Sequence, residues 1–224
     1  MGAVIGDLLP LAIGVAVSPI PIIAVILMLF APRARVTSFG FMVGWVIGIL
    51  VAVIVFLVIA ANSTTGTTDN PSTFASWVKL VLGLAVLFLA WKQWQGRPEP
   101  GAAAALPKWM SAIDSFTPAK AAGLGFVLAA VNPKNLAMAI AAGVAIAGGH
   151  LSTGGNIVAV LVFTVLACCT VAVPVIAYAV AADRMRAPLD RLKGWLEANN
   201  STVMSVLMLV IGTVLVGKGL GALL

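Results

Sequence analysis

Two short polar interruptions sit inside otherwise apolar stretches of this 224-residue chain: Ala16-Val17-Ser18-Pro19-Ile20-Pro21 and Ala130-Val131-Asn132-Pro133-Lys134-Asn135. Each supplies a small polar side chain and then a proline, which removes a backbone donor and collides with the preceding helical turn. A lipid-facing helix would leave the freed carbonyls without partners, so such a break needs cover from protein or a wet cavity. Its occurrence once in each half points to a duplicated membrane protein with its site between the halves.

The rest of the chain agrees with a membrane setting. It is 62% hydrophobic and only 9% charged, a surface that a soluble domain of this size could not solvate. Segments long enough to cross the hydrocarbon fall at roughly 4–30, 39–61, 77–95, 121–148, 154–180 and 200–222. Asp7 and the absence of a basic leader make the first of these span one rather than a cleavable signal. Gly96-Arg97-Pro98-Glu99-Pro100-Gly101 opens a flexible connection, read as a cytoplasmic linker over 96–120 between repeat one (1–95) and repeat two (121–224). Three spans on either side force opposite orientations. The expectation is therefore a single all-α membrane domain over 1–224, a 3+3 inverted repeat whose helices one and four are broken by proline. Leu80-Val81-Leu82-Gly83 in span three loosely matches Leu209-Val210-Ile211-Gly212 in span six.

Charge distribution gives the orientation. Arg33, Arg35, Lys92, Arg97, Lys108, Lys120, Arg184, Arg186, Arg191 and Lys193 fall on one side of six alternating spans, and loops 62–76 and 149–153 carry no Lys or Arg. The positive-inside rule puts those basic residues in the cytoplasm and both termini outside, in a multi-pass plasma-membrane protein. The net charge of +6 thus reports topology, not nucleic-acid binding. Trp77 marks the outer margin and Trp91, Trp94, Trp109 and Trp195 the inner one, while Trp45 lies deeper. Met185, Leu189, Leu192 and Leu196 share one helical face, which reads as an interfacial helix over 184–196; Trp109, Ile113 and Phe116 read as a smaller one.

Lys134 is the sharpest chemical clue, because it lies midway along an apolar segment with no carboxylate at comparable depth. An ammonium at the bilayer centre costs about 3 kcal/mol even on the lenient insertion scale. It must face water, meet an anionic substrate group, be neutral, or tie down carbonyls released by Pro133. Ser18, Asn132 and Asn135 offer hydrogen bonds beside the unwound backbone, and Pro19, Pro21 and Pro133 act by breaking the helices. Asp7, Asp114 and Asp183 are candidates for proton coupling or gating, or simply helix caps and ion-pair partners. Gly40, Gly44 and Gly48 form a small-residue row for close helix packing, within the chain or in a homodimer, and Gly217, Gly219 and Gly221 suggest another. The one histidine, His150, falls in an outer loop, and Cys168-Cys169 are adjacent, so neither a metal site nor a redox pair is expected. No cofactor motif and no acid–base constellation is present, which argues against an enzyme. Asn62-Ser63-Thr64 and Asn200-Ser201-Thr202 match the glycosylation pattern.

The segment 107–143, with Asn132-Pro133-Lys134-Asn135-Leu136 at its heart, resembles the signature of the GAP family. These are small membrane proteins known as sulfolipid-addressing or glycolipid-transport accessory proteins. Residues 11–48 and 191–212 resemble other parts of that family, so the likeness covers nearly the whole chain. More distantly, Asn132-Pro133-Lys134 and the six-span layout resemble the lysine exporter (LysE) superfamily. The GAP resemblance implies export of polar or anionic glycolipids to the cell envelope, with membrane lipids and a larger lipid exporter as partners. The alternatives are an accessory or scaffold subunit of such an exporter, docking through a surface such as the Gly40/Gly44/Gly48 row, and a LysE-like exporter of small solutes such as amino acids.

Overall fold

The computed structural model describes residues 1–63, 71–97 and 108–221. Among them every regular element is helical. The first apolar stretch is α1 (Gly2–Ala16) and α2 (Pro19–Phe30), meeting at a 53° bend. Next come α3 (Ala34–Ser63) and α4 (Pro71–Gln95). A 3-10 helix (Lys108–Ser115) leads into α5 (Pro118–Ala130) and α6 (Pro133–Ala147), which meet at 63°. The chain ends in α7 (Thr153–Leu220). Proline sits in the first turn of α2, α5 and α6, where a missing N–H is harmless and the fixed φ suits a helix start.

Three helices, α3, α4 and α7, are long and apolar enough to cross a membrane, and counting each bent pair as one span gives up to five. The expectation of six differs from this count only at α7. That element runs 68 residues, on the order of 100 Å of helix, with one interruption at Ala181 (φ −143°, ψ 57°). The segment 184–196 is accordingly part of α7 and not a separate surface helix. Leu189 and Leu196 are buried and Met185 packs against the core, leaving Leu192 exposed. An amphipathic pattern serves a protein core as well as a leaflet, and here the protein takes it. In the 3-10 helix, Met110 and Ile113 are buried and the element packs against α2. Val165 and Val180, with 67% and 84% of their surface open, belong to an apolar outer surface suited to acyl chains.

Small residues set the closest approaches. A Cβ at Gly40 would lie 2.6 Å from the Pro118 carbonyl oxygen, and one at Gly48 2.7 Å from Ala129 Cβ. At Gly44 a Cβ would collide with the Ala122 carbonyl. The row is thus filled by α5 of the same chain, which removes it as a surface for a homodimer or a docked exporter. Gly83 and Gly212 do the same between α4 and α7: a Cβ on the first would meet Val216 N at 2.7 Å, and on the second Leu87 Cγ at 2.7 Å. The two loosely matching sequence stretches therefore pack on each other. Of the last three glycines only Gly219 has this role, against Leu80; Gly217 faces open space, and Gly221 meets only its own helix. Residues 98–107 of the linker, including Glu99, lie outside the described residues, as do Thr64 of the first glycosylation match and Asp69.

Candidate functional site

The two breaks meet. Pro19 and Pro21 donate nothing to the carbonyls of Val15 and Val17, four residues back, and Ser18 N turns to Ala16 O (2.9 Å) rather than Gly14 O. Four carbonyls at the end of α1 are thereby released from the helical ladder, and each finds a partner. Ser18 Oγ donates to Val15 O at 2.7 Å. Thr170 Oγ1, from α7, donates to Ala16 O at 2.6 Å. Lys134 Nζ donates to Gly14 O at 2.5 Å, to Val17 O at 3.3 Å and to Ser18 Oγ at 2.6 Å. An ammonium has three donors, and all three are taken.

Lys134 starts in the first turn of α6, the positive end of a helix dipole, yet its stem carries the charge across to the negative end of α1. The side chain is 2% exposed and is among the largest fully buried in the chain. It does hold carbonyls down, but those of the other half's break rather than those released by Pro133. Around Pro133 the work falls to the asparagines. Half-buried Asn132 caps α6 by accepting from Lys134 N (3.0 Å), and Asn135 Nδ2 donates to Leu128 O (3.1 Å). Asn135 is buried, and its Oδ1 has no partner among the described residues. Pro19 and Pro21 are buried, whereas Pro133 is exposed.

Asp7 lies two turns of α1 above Gly14. Its carboxylate accepts from Lys218 Nζ at 2.5 Å and lies 3.8 Å from Lys79 Nζ, tying α1 to α7 and α4. Nothing in the sequence signals that these lysines share a partner, because Asp7 is 72 and 211 residues away from them. Just below the cluster, a narrow cleft of about 10 Å³ is lined by Leu11, Ala141 and Ile211, and Ile211 and Met138 close over Gly14. Asp114 and Asp183 are exposed and make no ion pair among the described residues. Thr170 is the other residue missed; one threonine in an apolar span carries no signal until its neighbour is known. Cys168 and Cys169 are both free thiols, and no group of metal-ligating side chains occurs among the described residues.

Two larger hollows lie elsewhere. A groove of about 540 Å³ between α4 and α7 is lined by Leu87, Trp91, Trp94 and Ser205, with the Arg97 guanidinium 3.9 Å over the Trp94 ring. A pocket of about 210 Å³ between α2, α3 and α7 is lined by Leu29, Arg35, Ser38 and Tyr178. Lys134 lines neither of these hollows, nor the narrow cleft.

A family model described as Sap, sulfolipid-1-addressing protein, matches residues 8–221. No curated protein and no solved structure matches the chain.

Proposed function

Since the chain belongs to the sulfolipid-1-addressing protein family, we propose that it takes part in export of polar or anionic glycolipids to the cell envelope. The site of exchange would be the contact of Lys134 with the end of α1. The observation that carries this reading is an ammonium 2% exposed whose partners are two backbone carbonyls and a hydroxyl, with no carboxylate. Neutral acceptors hold an ammonium without cancelling its charge. An oxyanion, such as a lipid sulfate or phosphate, is a stronger acceptor and competes for the same three protons. Passing Lys134 to the headgroup releases Gly14 O and Val17 O, loosening the contact between the two bent pairs. A ligand that binds this loosened form better shifts the protein toward it.

The proposed architecture is a 3+3 inverted repeat. The sixth span comes from reading α7 as two spans divided at Ala181, and Gly83 packed on Gly212 supports a two-fold relation of the halves. The basic residues of the connecting loops favour a cell-membrane orientation with both termini outside. No reaction is proposed; the protein acts by binding and movement.

Proteoliposomes test the reading. Purified protein should speed transfer of a fluorescent lipid with a sulfate or phosphate monoester headgroup well above that of a zwitterionic one. Lys134→Met should lower the rate at least tenfold. Wild-type transfer by Lys134→Met would overturn the role of the ammonium. Absence of any transfer by the unaided protein would favour the accessory reading, in which a larger lipid exporter supplies the movement.

A further inference from the structure

We infer that the pocket between α2, α3 and α7 is a binding site for the oxyanion of a lipid headgroup, where cargo is loaded before it reaches Lys134. This inference rests on the transport reading above and adds the place of first contact. The pocket holds about 210 Å³. That is several times a water's share of about 30 Å³, and below the about 300–1,000 Å³ of pockets for drug-sized ligands. A headgroup fits it.

Two polar groups of the lining have no partner among the described residues. Tyr178, the chain's one tyrosine, is only 7% exposed, yet its hydroxyl bonds to no described residue. The hydroxyl oxygen is not sealed off, so it is free to donate to a ligand entering the pocket. Arg35 is exposed and likewise has neither an ion pair nor a hydrogen bond among the described residues, so its guanidinium is free to turn to a ligand. Its planar fork suits phosphate or sulfate, whereas a cation would be repelled and a neutral polyol would leave the charge unanswered. Ser38 Oγ already donates its proton to Ala34 O (2.6 Å) and so adds no competing donor.

Position agrees. Tyr178 is eight residues along α7 from Thr170, which bonds the end of α1, and Leu29 is eleven residues along α2 from Ser18. At about 1.5 Å per residue the pocket lies roughly 12–16 Å from the Lys134 contact. That is close to half of a hydrocarbon core of about 30 Å. The pocket thus falls at the membrane margin if Lys134 is central, and on the side of the basic loops.

Calorimetric titration of the full-length protein in neutral detergent tests this with three probes: dioctanoyl phosphatidate, uncharged dioctanoylglycerol and inorganic phosphate. Phosphatidate should bind, with affinity lowered about tenfold by Arg35→Gln and about fivefold by the near-isosteric Tyr178→Phe. Arg33→Gln, two residues away, should leave it unchanged. Phosphate binding with the same dependence would show that the oxyanion alone is recognised; phosphatidate binding alone would show that the lipid is required. Equal binding of dioctanoylglycerol, no binding of phosphatidate or phosphate, or wild-type affinity in both Arg35→Gln and Tyr178→Phe would overturn the site. Because Lys134 is untouched, a failure here leaves the Lys134 transfer result standing. Loss of the Lys134 effect with intact binding would instead sink the transport reading alone.

Discussion

Ser18 and Lys134 should be energetically coupled, and the hydrogen bonds set how strongly. Ser18 Oγ accepts from Nζ at 2.6 Å and donates to Val15 O at 2.7 Å. Ser18→Ala removes an acceptor from a buried ammonium and orphans Val15 O, each loss worth about 1–3 kcal/mol. Lys134→Met orphans Gly14 O and Val17 O at a similar cost apiece, partly offset because a buried charge disappears. The Ser18–Lys134 bond is lost in both single variants but can be lost only once in the double variant. The double variant should therefore be more stable than the sum of the singles predicts. A charge-assisted bond in water would give about 1.5–3 kcal/mol. Polar contacts inside membranes average about 0.6 and reach about 1.7 kcal/mol. The coupling is therefore expected near 1.5 kcal/mol. Equilibrium unfolding of the four proteins in mixed micelles measures it. Additivity within about 0.5 kcal/mol, the scatter of independent sites, would refute the contact.

Three further outcomes follow from the packing and the ion pairs. Thr170→Val should cost only about 0.5–1.5 kcal/mol, since Ala16 O keeps its bond from Ser18 N; the same unfolding assay checks it, and a loss equal to that of Ser18→Ala would contradict the carbonyl accounting. Gly44→Leu should abolish the folded, monodisperse protein in size-exclusion chromatography, because even a Cβ there collides with the Ala122 carbonyl. Asp7→Asn should lower stability by less than about 1 kcal/mol at low salt and by still less at high salt, because the carboxylate is 36% exposed; a large, salt-independent loss would show that the cluster is structural rather than screened.

What the sequence discloses depends on how local each cause is. Pro10, Pro174 and Pro188 sit inside α1 and α7, whereas Pro19 and Pro133 each follow a small polar residue and start a new helix, so the Ser-Pro and Asn-Pro contexts made both bends legible. Lys134 likewise stands out in the sequence, midway along an apolar stretch. Its partners do not, since Gly14, Val17 and Ser18 lie more than a hundred residues away in sequence. Gly40, Gly44 and Gly48 announce a close approach but carry no information about which helix makes it, and α5 proved to be the neighbour. The 184–196 segment shows the opposite failure, because its apolar face fits a leaflet and a protein core equally well. Lys79 and Lys218 stayed hidden because their shared partner, Asp7, lies far away in sequence. Tyr178 gave no sign at all until its place in the pocket wall could be seen.

The central claim is that Lys134 exchanges the end of α1 for an oxyanion. A cryo-electron microscopy structure of the protein saturated with a short-chain lipid sulfate tests it most directly. The account predicts a sulfate oxygen within hydrogen-bond reach of Lys134 Nζ, with the Gly14 and Val17 carbonyls no longer in contact with it. An ammonium still seated on Gly14, Val17 and Ser18, with lipid bound only elsewhere, would contradict it.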